Sequence, residues 1–183
     1  NTILVIEASS YQLAYSKFVK PNYGILLNIT NDHLDWHGSI KNYINAKLKI
    51  FSLQNKKDFA LINKKLEIYY RKKRFLAKLI SIKKKDYKII KNKIKNKYLQ
   101  TTINTENMEY VYTLSKLLKI SEKSFVDSMN SFKGLPHRYE IFMKKKNVTF
   151  INDSKATSFQ ASKLALSNNR NIYWIVGGLP KEN

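Results

Sequence analysis

The stretch "YGILLNIT", residues 23 to 30, is apolar with almost no alternation and runs straight into the polar "NDHLDWHGS" and then into "SIKNYINAKLKIF". A short continuous apolar run marks a strand buried on both faces, and such strands belong to parallel sheets covered by helices. In the third piece Ile40, Tyr43, Ile44, Leu48 and Phe51 fall on one helical face, and Ser39 stands where it can cap the helix start. Strand, loop and helix in that order predict an α/β fold with a parallel sheet. The same rhythm recurs along the chain. "ILVIEASS" near the amino end, "FALIN" and "KLISI" read as further strands. Residues 105 to 119 and 122 to 132 read as helices, with apolar stripes at Met108, Val111 and Tyr112 and at Phe125, Met129 and Phe132. Gly134 and Pro136 then punctuate the chain. Beyond them a second α/β series begins: "VTFIND" as strand, "SKATSFQASKLALSN" as helix and "NIYWIVGG" as strand. A domain boundary is expected there, dividing 1–133 from 134–183.

Composition matters for three exclusions. No apolar run reaches the roughly 18 to 20 residues of a membrane span, and no signal-peptide pattern is present. The chain has no Cys, so it holds neither a disulfide framework nor a thiolate metal site, which fits a reducing, cytoplasmic location. The net charge of +21 invites a nucleic-acid partner, but 15 basic and 2 acidic residues lie between Lys64 and Lys97, leaving the remainder at only +8. That lysine-rich run shares the Ile, Asn and Tyr bias of the whole chain, so a solvated surface explains it more simply than a nucleic-acid interface. The first residues carry no initiator Met and enter an apolar run almost at once, so a fragment of a longer protein is expected.

Several residues stand where chemistry is done. Lys47 follows Tyr43 and Ile44 at helical spacing and so projects from the apolar face, unlike Lys41 and Lys49. A lysine there is paired, neutral or modified, or it lays its stem along the core edge and lifts the ammonium to water. Glu7 closes an apolar run and is followed by Ser9, Ser10 and Gln12. The carboxyl ends of strands are where open α/β sheets bind ligands, although such a carboxylate can equally cap a helix. His33, beside Asp32 and Asp35, also follows a strand. Oxygen ligands with a single imidazole suit magnesium or manganese better than a closed zinc site. "INDSKATS" brings Asn152, Asp153, Ser154, Lys155 and Thr157 to an expected helix start, which attracts phosphate or is simply a capped helix.

Taken together, "EASSYQL", "NITNDHLDWHGSIKNYINAKLKIF", "GLPHRYE", "NDSKAT" and "VGGLPK" resemble the Mur ligases in order and approximate spacing. The similarity runs from about residue 3 to 183 and is weak at roughly 55 to 98. It implies part of a central ATPase domain over 1–133, followed by the start of a Rossmann-like carboxyl-terminal domain over 134–183. It also implies an ATP-dependent amide-forming reaction of peptidoglycan synthesis. ATP phosphorylates a carboxylate and an amino acid's amine displaces the phosphate. The motifs are nearest to members that join D-glutamate to UDP-N-acetylmuramoyl-L-alanine.

By the same resemblance, Glu7 and His33 match magnesium ligands, with manganese as a substitute. His33, Ser9 and Gln12 match contacts to the nucleotide-sugar substrate. Lys47 matches a lysine that carbon dioxide carbamylates into an anionic support for a second metal ion, and Lys47 and His33 are the expected catalytic pair. Asn107, Arg138, Asp153 and Lys155 match ATP contacts, Arg138 reaching the nucleotide from a hinge fixed by Gly134 and Pro136. Thr157 and Lys181 match groups that hold the side-chain carboxylate of D-glutamate.

Some features depart from the family. Ile103 stands where a histidine is usual, and the GxxGK[ST] phosphate loop is absent from the chain, as is the uridine-binding domain. The 183 residues alone are therefore expected neither to hydrolyse ATP nor to ligate, and the protein is expected to act as a monomer. The alternatives are another Mur or folylpolyglutamate-type ligase with a different acceptor and, in a different class, a basic nucleic-acid-binding module using residues 64 to 97.

Overall fold

The computed structural model describes residues 2–30 and 33–178. Its contacts divide the chain into two compact units. The first comprises residues 1–90 and 107–121, and the second residues 91–106 and 122–183.

In the first unit, helix α1 (Ser10–Tyr15) leads to strand β1 (Tyr23–Leu26), the short helix α2 (Leu34–His37) and helix α3 (Ile40–Leu48). Strand β2 (Phe59–Asn63), helix α4 (Glu67–Lys72), strand β3 (Lys78–Ile82) and helix α5 (Lys84–Lys88) follow. The long helix α6 (Thr102–Leu117) carries the chain back into this unit. The three strands form a parallel sheet in the order β1-β2-β3, with Tyr23 paired to Phe59 and Phe59 to Lys78. This is the sheet predicted from the unbroken apolar runs. On one side Leu26, Ala60 and Ile62 pack with Leu48, Phe51, Leu66 and Tyr70, while Leu61 and Ile82 pack with Tyr110 of α6. Gly24 has a steric reason to be glycine: a Cβ there would meet the Phe51 ring at 3.0 Å.

Tyr110 ties helix to sheet. Its hydroxyl donates to the Leu26 carbonyl at 2.8 Å and accepts from the Asn63 amide at 2.9 Å, satisfying groups where β1 and β2 end. The predicted face of α3 is largely observed. Ser39 accepts from the Asn42 amide, and Tyr43, Leu48 and Phe51 are buried.

In the second unit, helix α7 (Glu122–Ser131) is followed by a hairpin of β4 (Glu140–Lys145) and β5 (Val148–Asn152), and then by helix α8 (Phe159–Ser167). The hairpin pairs Glu140 with Asn152 and Lys145 with Val148, with an irregularity between Ile141 and Met143.

Three expectations are corrected. "ILVIEASS" forms no strand before α1, and Val5 is 87% exposed. "NIYWIVGG" forms none either, and Ile175 is 98% exposed. A strand exists through the ladder it shares with a neighbour, and among the described residues neither run is paired. The helix expected to open at "NDSK" begins only at Phe159, capped by Ser158, because the preceding polar groups are engaged in turns and in the hairpin. Strand β4 was not foreseen. Among the described residues no helix is long and apolar enough to cross a membrane.

Candidate functional site

The candidate residues fall into two groups, one in each unit. In the first, α1 starts with a reciprocal cap. The Ser9 hydroxyl accepts from the Gln12 amide at 3.2 Å, and the Gln12 side-chain oxygen accepts from the Ser9 amide at 2.8 Å. Both expected substrate contacts thus hold each other and fix the helix start. Glu7, two residues earlier, is exposed.

His33 occupies the left-handed region at φ 57° and begins α2. Its ring lies 5.0 Å from Tyr11 and 6.5 Å from Tyr43, both edge-on. Tyr11 also meets Trp36 at 4.7 Å, and His37 meets Tyr43 at 5.3 Å. His37 is buried, and its Nε2 is hydrogen-bonded to the buried Ser10 hydroxyl at 3.0 Å. Burial holds the His37 pKa below the usual imidazole value. The neighbouring His33 pushes it the same way, and Asp35 opposes them.

Lys47 shares this cluster through Tyr43. Its Nζ lies 4.8 Å from the centre of that ring and donates to the Asn28 carbonyl at 2.9 Å, just beyond the end of β1. The lysine is half-buried, with its stem along the core edge and its ammonium on a carbonyl. A carbamate keeps a single Nζ–H that can still reach this carbonyl, and it adds two acceptor oxygens that need partners of their own. Among the described residues no three His, Asp or Glu side chains gather to hold a metal ion.

In the second unit Arg138 is exposed, but the backbone on either side of it is pinned. His137 has φ 63° and Tyr139 has φ 47°, so two left-handed residues flank the arginine. Non-glycine residues hold that conformation only when their surroundings fix it. The His137 amide donates to Glu140 Oε2 at 2.8 Å and its carbonyl accepts from the Lys155 amide at 3.1 Å. Asn152 Nδ2 donates to His137 Nδ1 at 2.9 Å. The Tyr139 amide donates to Asp153 Oδ1 at 2.8 Å. "GLPHRYE" and "INDSKAT" are therefore joined across the open end of the β4–β5 hairpin.

Arg138, Lys97 and Lys133 line a cavity of about 540 Å³, together with Tyr98, Tyr139 and one carboxylate, Glu140. Three cations against one carboxylate suit an anionic ligand, and the tyrosines offer faces for a flat ring.

The structure thus brings His33 and Lys47 together around Tyr43, and Arg138, Asp153 and Lys155 together around the hairpin. Asn107 is exposed on α6, and Thr157 is exposed just before the Ser158 cap. Lys181 lies outside the described residues. Sequence reasoning missed the Tyr11 platform and the Ser10–His37 pair. Tyr43 had been assigned only to the core, and no spacing rule links Ser10 to His37 across 27 positions.

A parallel sheet with polar loops and a lysine at its carboxyl edge defines an α/β domain of the kind that binds ligands at that edge. Residues 1–132 match the Mur ligase middle domain, and the chain belongs to that family. It is 36% identical over 200 residues to the UDP-N-acetylmuramoylalanine–D-glutamate ligase of Rickettsia felis, covering 97% of this chain and 44% of the relative. The protein of that name from Wolbachia sp. subsp. Brugia malayi is 37% identical over 182 residues, covering 90% of this chain and 36% of the relative. That from Natranaerobius thermophilus is 34% identical, covering 97% and 43%. The chain spans less than half the length of these relatives.

Proposed function

We propose that the full-length protein joins D-glutamate to UDP-N-acetylmuramoyl-L-alanine at the expense of ATP, in the cytoplasm and as part of peptidoglycan synthesis. Residues 1–133 would contribute to its ATP-binding domain and 134–183 would begin its carboxyl-terminal domain. The observation that carries this reading is Arg138, pinned between two left-handed residues beside a cationic cavity, in a chain of the Mur ligase family.

A carboxylate is a poor electrophile. In the proposed reaction a carboxylate oxygen of the nucleotide sugar attacks the γ-phosphorus of ATP and ADP departs. The D-glutamate amine then attacks the acyl carbon, inorganic phosphate leaves, and the nitrogen gives up one proton to solvent or base and keeps the other in the amide. Arg138 and Lys155 would hold the nucleotide, and a fixed guanidinium offsets charge on the transferring phosphoryl oxygens without reorganising; Asn107 would be an ATP contact of the first unit. Asp153 would act from the same side, its Oδ1 already orienting Tyr139. Ser9, Gln12 and His33 would face the nucleotide sugar, with Thr157 and Lys181 on the D-glutamate carboxylate. Glu7, His33 and a carbamylated Lys47 would hold magnesium or manganese, which would supply counter-charge to the phosphates.

Phosphate release by the full-length protein given ATP, magnesium, UDP-N-acetylmuramoyl-L-alanine and each amino acid in turn tests it. Release that needs both substrates and prefers D-glutamate is expected. Preference for another amino acid would move the protein to a different acceptor within the family, and no release from folded protein would reject the reaction.

A further inference from the structure

We propose that Asn96 and Tyr98 are positioning residues for Arg138, fixing the linker that carries it from outside the linker itself. This rests on the reading of Arg138 as a nucleotide contact. Both residues belong to the connection between α5 and α6 and lie in the second unit.

A helix end leaves carbonyls without intrahelical partners, and the chain beyond it is free to fray unless something takes them up. Here Asn96 Nδ2 donates to the Met129 carbonyl at 3.0 Å and also to that of Phe132, the last turn of α7 and the residue after it. The same carboxamide turns its oxygen to the Tyr98 amide at 3.0 Å. A second asparagine answers from α7: Asn130 Oδ1 accepts from the Lys95 amide at 2.7 Å, and its Nδ2 donates to the Lys93 carbonyl at 3.3 Å. The two segments hold each other through paired carboxamides.

Tyr98 carries that hold into the linker. Its carbonyl accepts from Thr101 Oγ1 at 2.9 Å and Asn104 Nδ2 at 2.8 Å, so its backbone is fixed on both sides. Its ring lies 6.0 Å from that of Phe132 and stands over Gly134, where a Cβ would meet it at 3.5 Å. Gly134 has φ 87°, the left-handed region, and is the pivot between α7 and the turn in which the Arg138 amide donates to the Leu135 carbonyl at 3.2 Å. The ring thus seats one end of the five-residue run 134 to 138, while Glu140 and Asp153 hold the other through His137 and Tyr139. With both ends held, the guanidinium leaves the backbone at a set place on the cavity that Lys97 and Lys133 share.

Two measurements test this. The first uses the 183-residue chain without substrate and follows exchange of the backbone amides of Gly134, Leu135, His137 and Arg138. Tyr98→Ala is expected to speed exchange about tenfold there. Tyr98→Phe, which keeps the ring, should match the parent. Asn96→Ala serves as the second variant, with helix content checking that each protein folds. Unchanged exchange in both alanine variants overturns the proposal.

The second uses the full-length protein. Tyr98→Ala is expected to raise the KM for ATP about tenfold while kcat changes less than about threefold, and Tyr98→Phe should restore the parent KM. Because Tyr98 acts through Arg138, the double variant Tyr98→Ala/Arg138→Ala should be no worse than Arg138→Ala alone, and additive losses would overturn the proposal. If the parent protein releases no phosphate with any amino acid, the functional reading falls, and the exchange experiment still decides whether the linker is held.

Discussion

Lys47 and Arg138 are both cations at the edge of a fold, and they are held in opposite ways. Lys47 is placed by side chains. Tyr43 lies beneath its ammonium, His33 stands beside Tyr43 and Tyr11 beside His33, and Ser10 with His37 completes the packing. Arg138 is placed by its backbone, through amides and carbonyls of neighbouring residues bonded to Glu140, Asp153 and Lys155. The difference teaches that one site should yield to changes in shape and the other to changes in hydrogen bonding.

The sharpest test of that contrast is Lys47→Ala in the full-length protein, expected to lower turnover by about a thousandfold or more. Partial recovery with a small carboxylic acid would identify the missing group as an anion, and normal turnover would remove Lys47 from the chemistry. Arg138→Ala should cost about a hundredfold in kcat/KM with an unchanged melting temperature, since the side chain is exposed. A fall in stability matching the fall in activity would mean that the backbone pinning depends on the side chain after all.

Tyr110→Phe leaves the Leu26 carbonyl and the Asn63 amide without their shared partner, so denaturant unfolding of the first unit should lose about 2 kcal/mol. Asp153→Ala frees only the Tyr139 amide and should cost the second unit about 1 kcal/mol.

The smallest effect is that of pH. The His37 pKa is lowered in the folded state, so below about pH 6.5 the unfolded chain takes up the proton more readily. Its contribution to stability is complete above that pH and is lost as pH falls below it, and His37→Gln should flatten this part of the profile. An unchanged slope would show that the Ser10 bond tolerates the imidazolium.

The sheet was legible because its strands are apolar on both faces, a pattern that loops rarely copy. "FALIN" and "KLISI" became β2 and β3, and "YGILLNIT" supplied β1. The same rule misread "ILVIEASS" and "NIYWIVGG", since periodicity reports what a run can bury and not whether a neighbour pairs with it. Lys47 was legible from helical spacing, and its apolar-face position proved to be a core edge with a carbonyl within reach. The pinning of Arg138 was not. Left-handed φ at His137 and Tyr139 depends on partners 15 and 14 positions away, and no local signal encodes them. Asn96 escaped notice for the same reason, set in a lysine-rich stretch that looks like surface.

The apolar run at Ile3 to Ile6, which pairs with no strand among the described residues, has a colloidal consequence. Exposed β-branched residues with open backbone are templates for pairing between molecules. What keeps copies of this chain apart is its charge of +21, a repulsion that salt screens over about 10 Å at 0.1 M. Dispersions of the isolated chain should therefore be clearest at low ionic strength and cloud as salt is added, the reverse of a protein whose copies are drawn together by opposite charges.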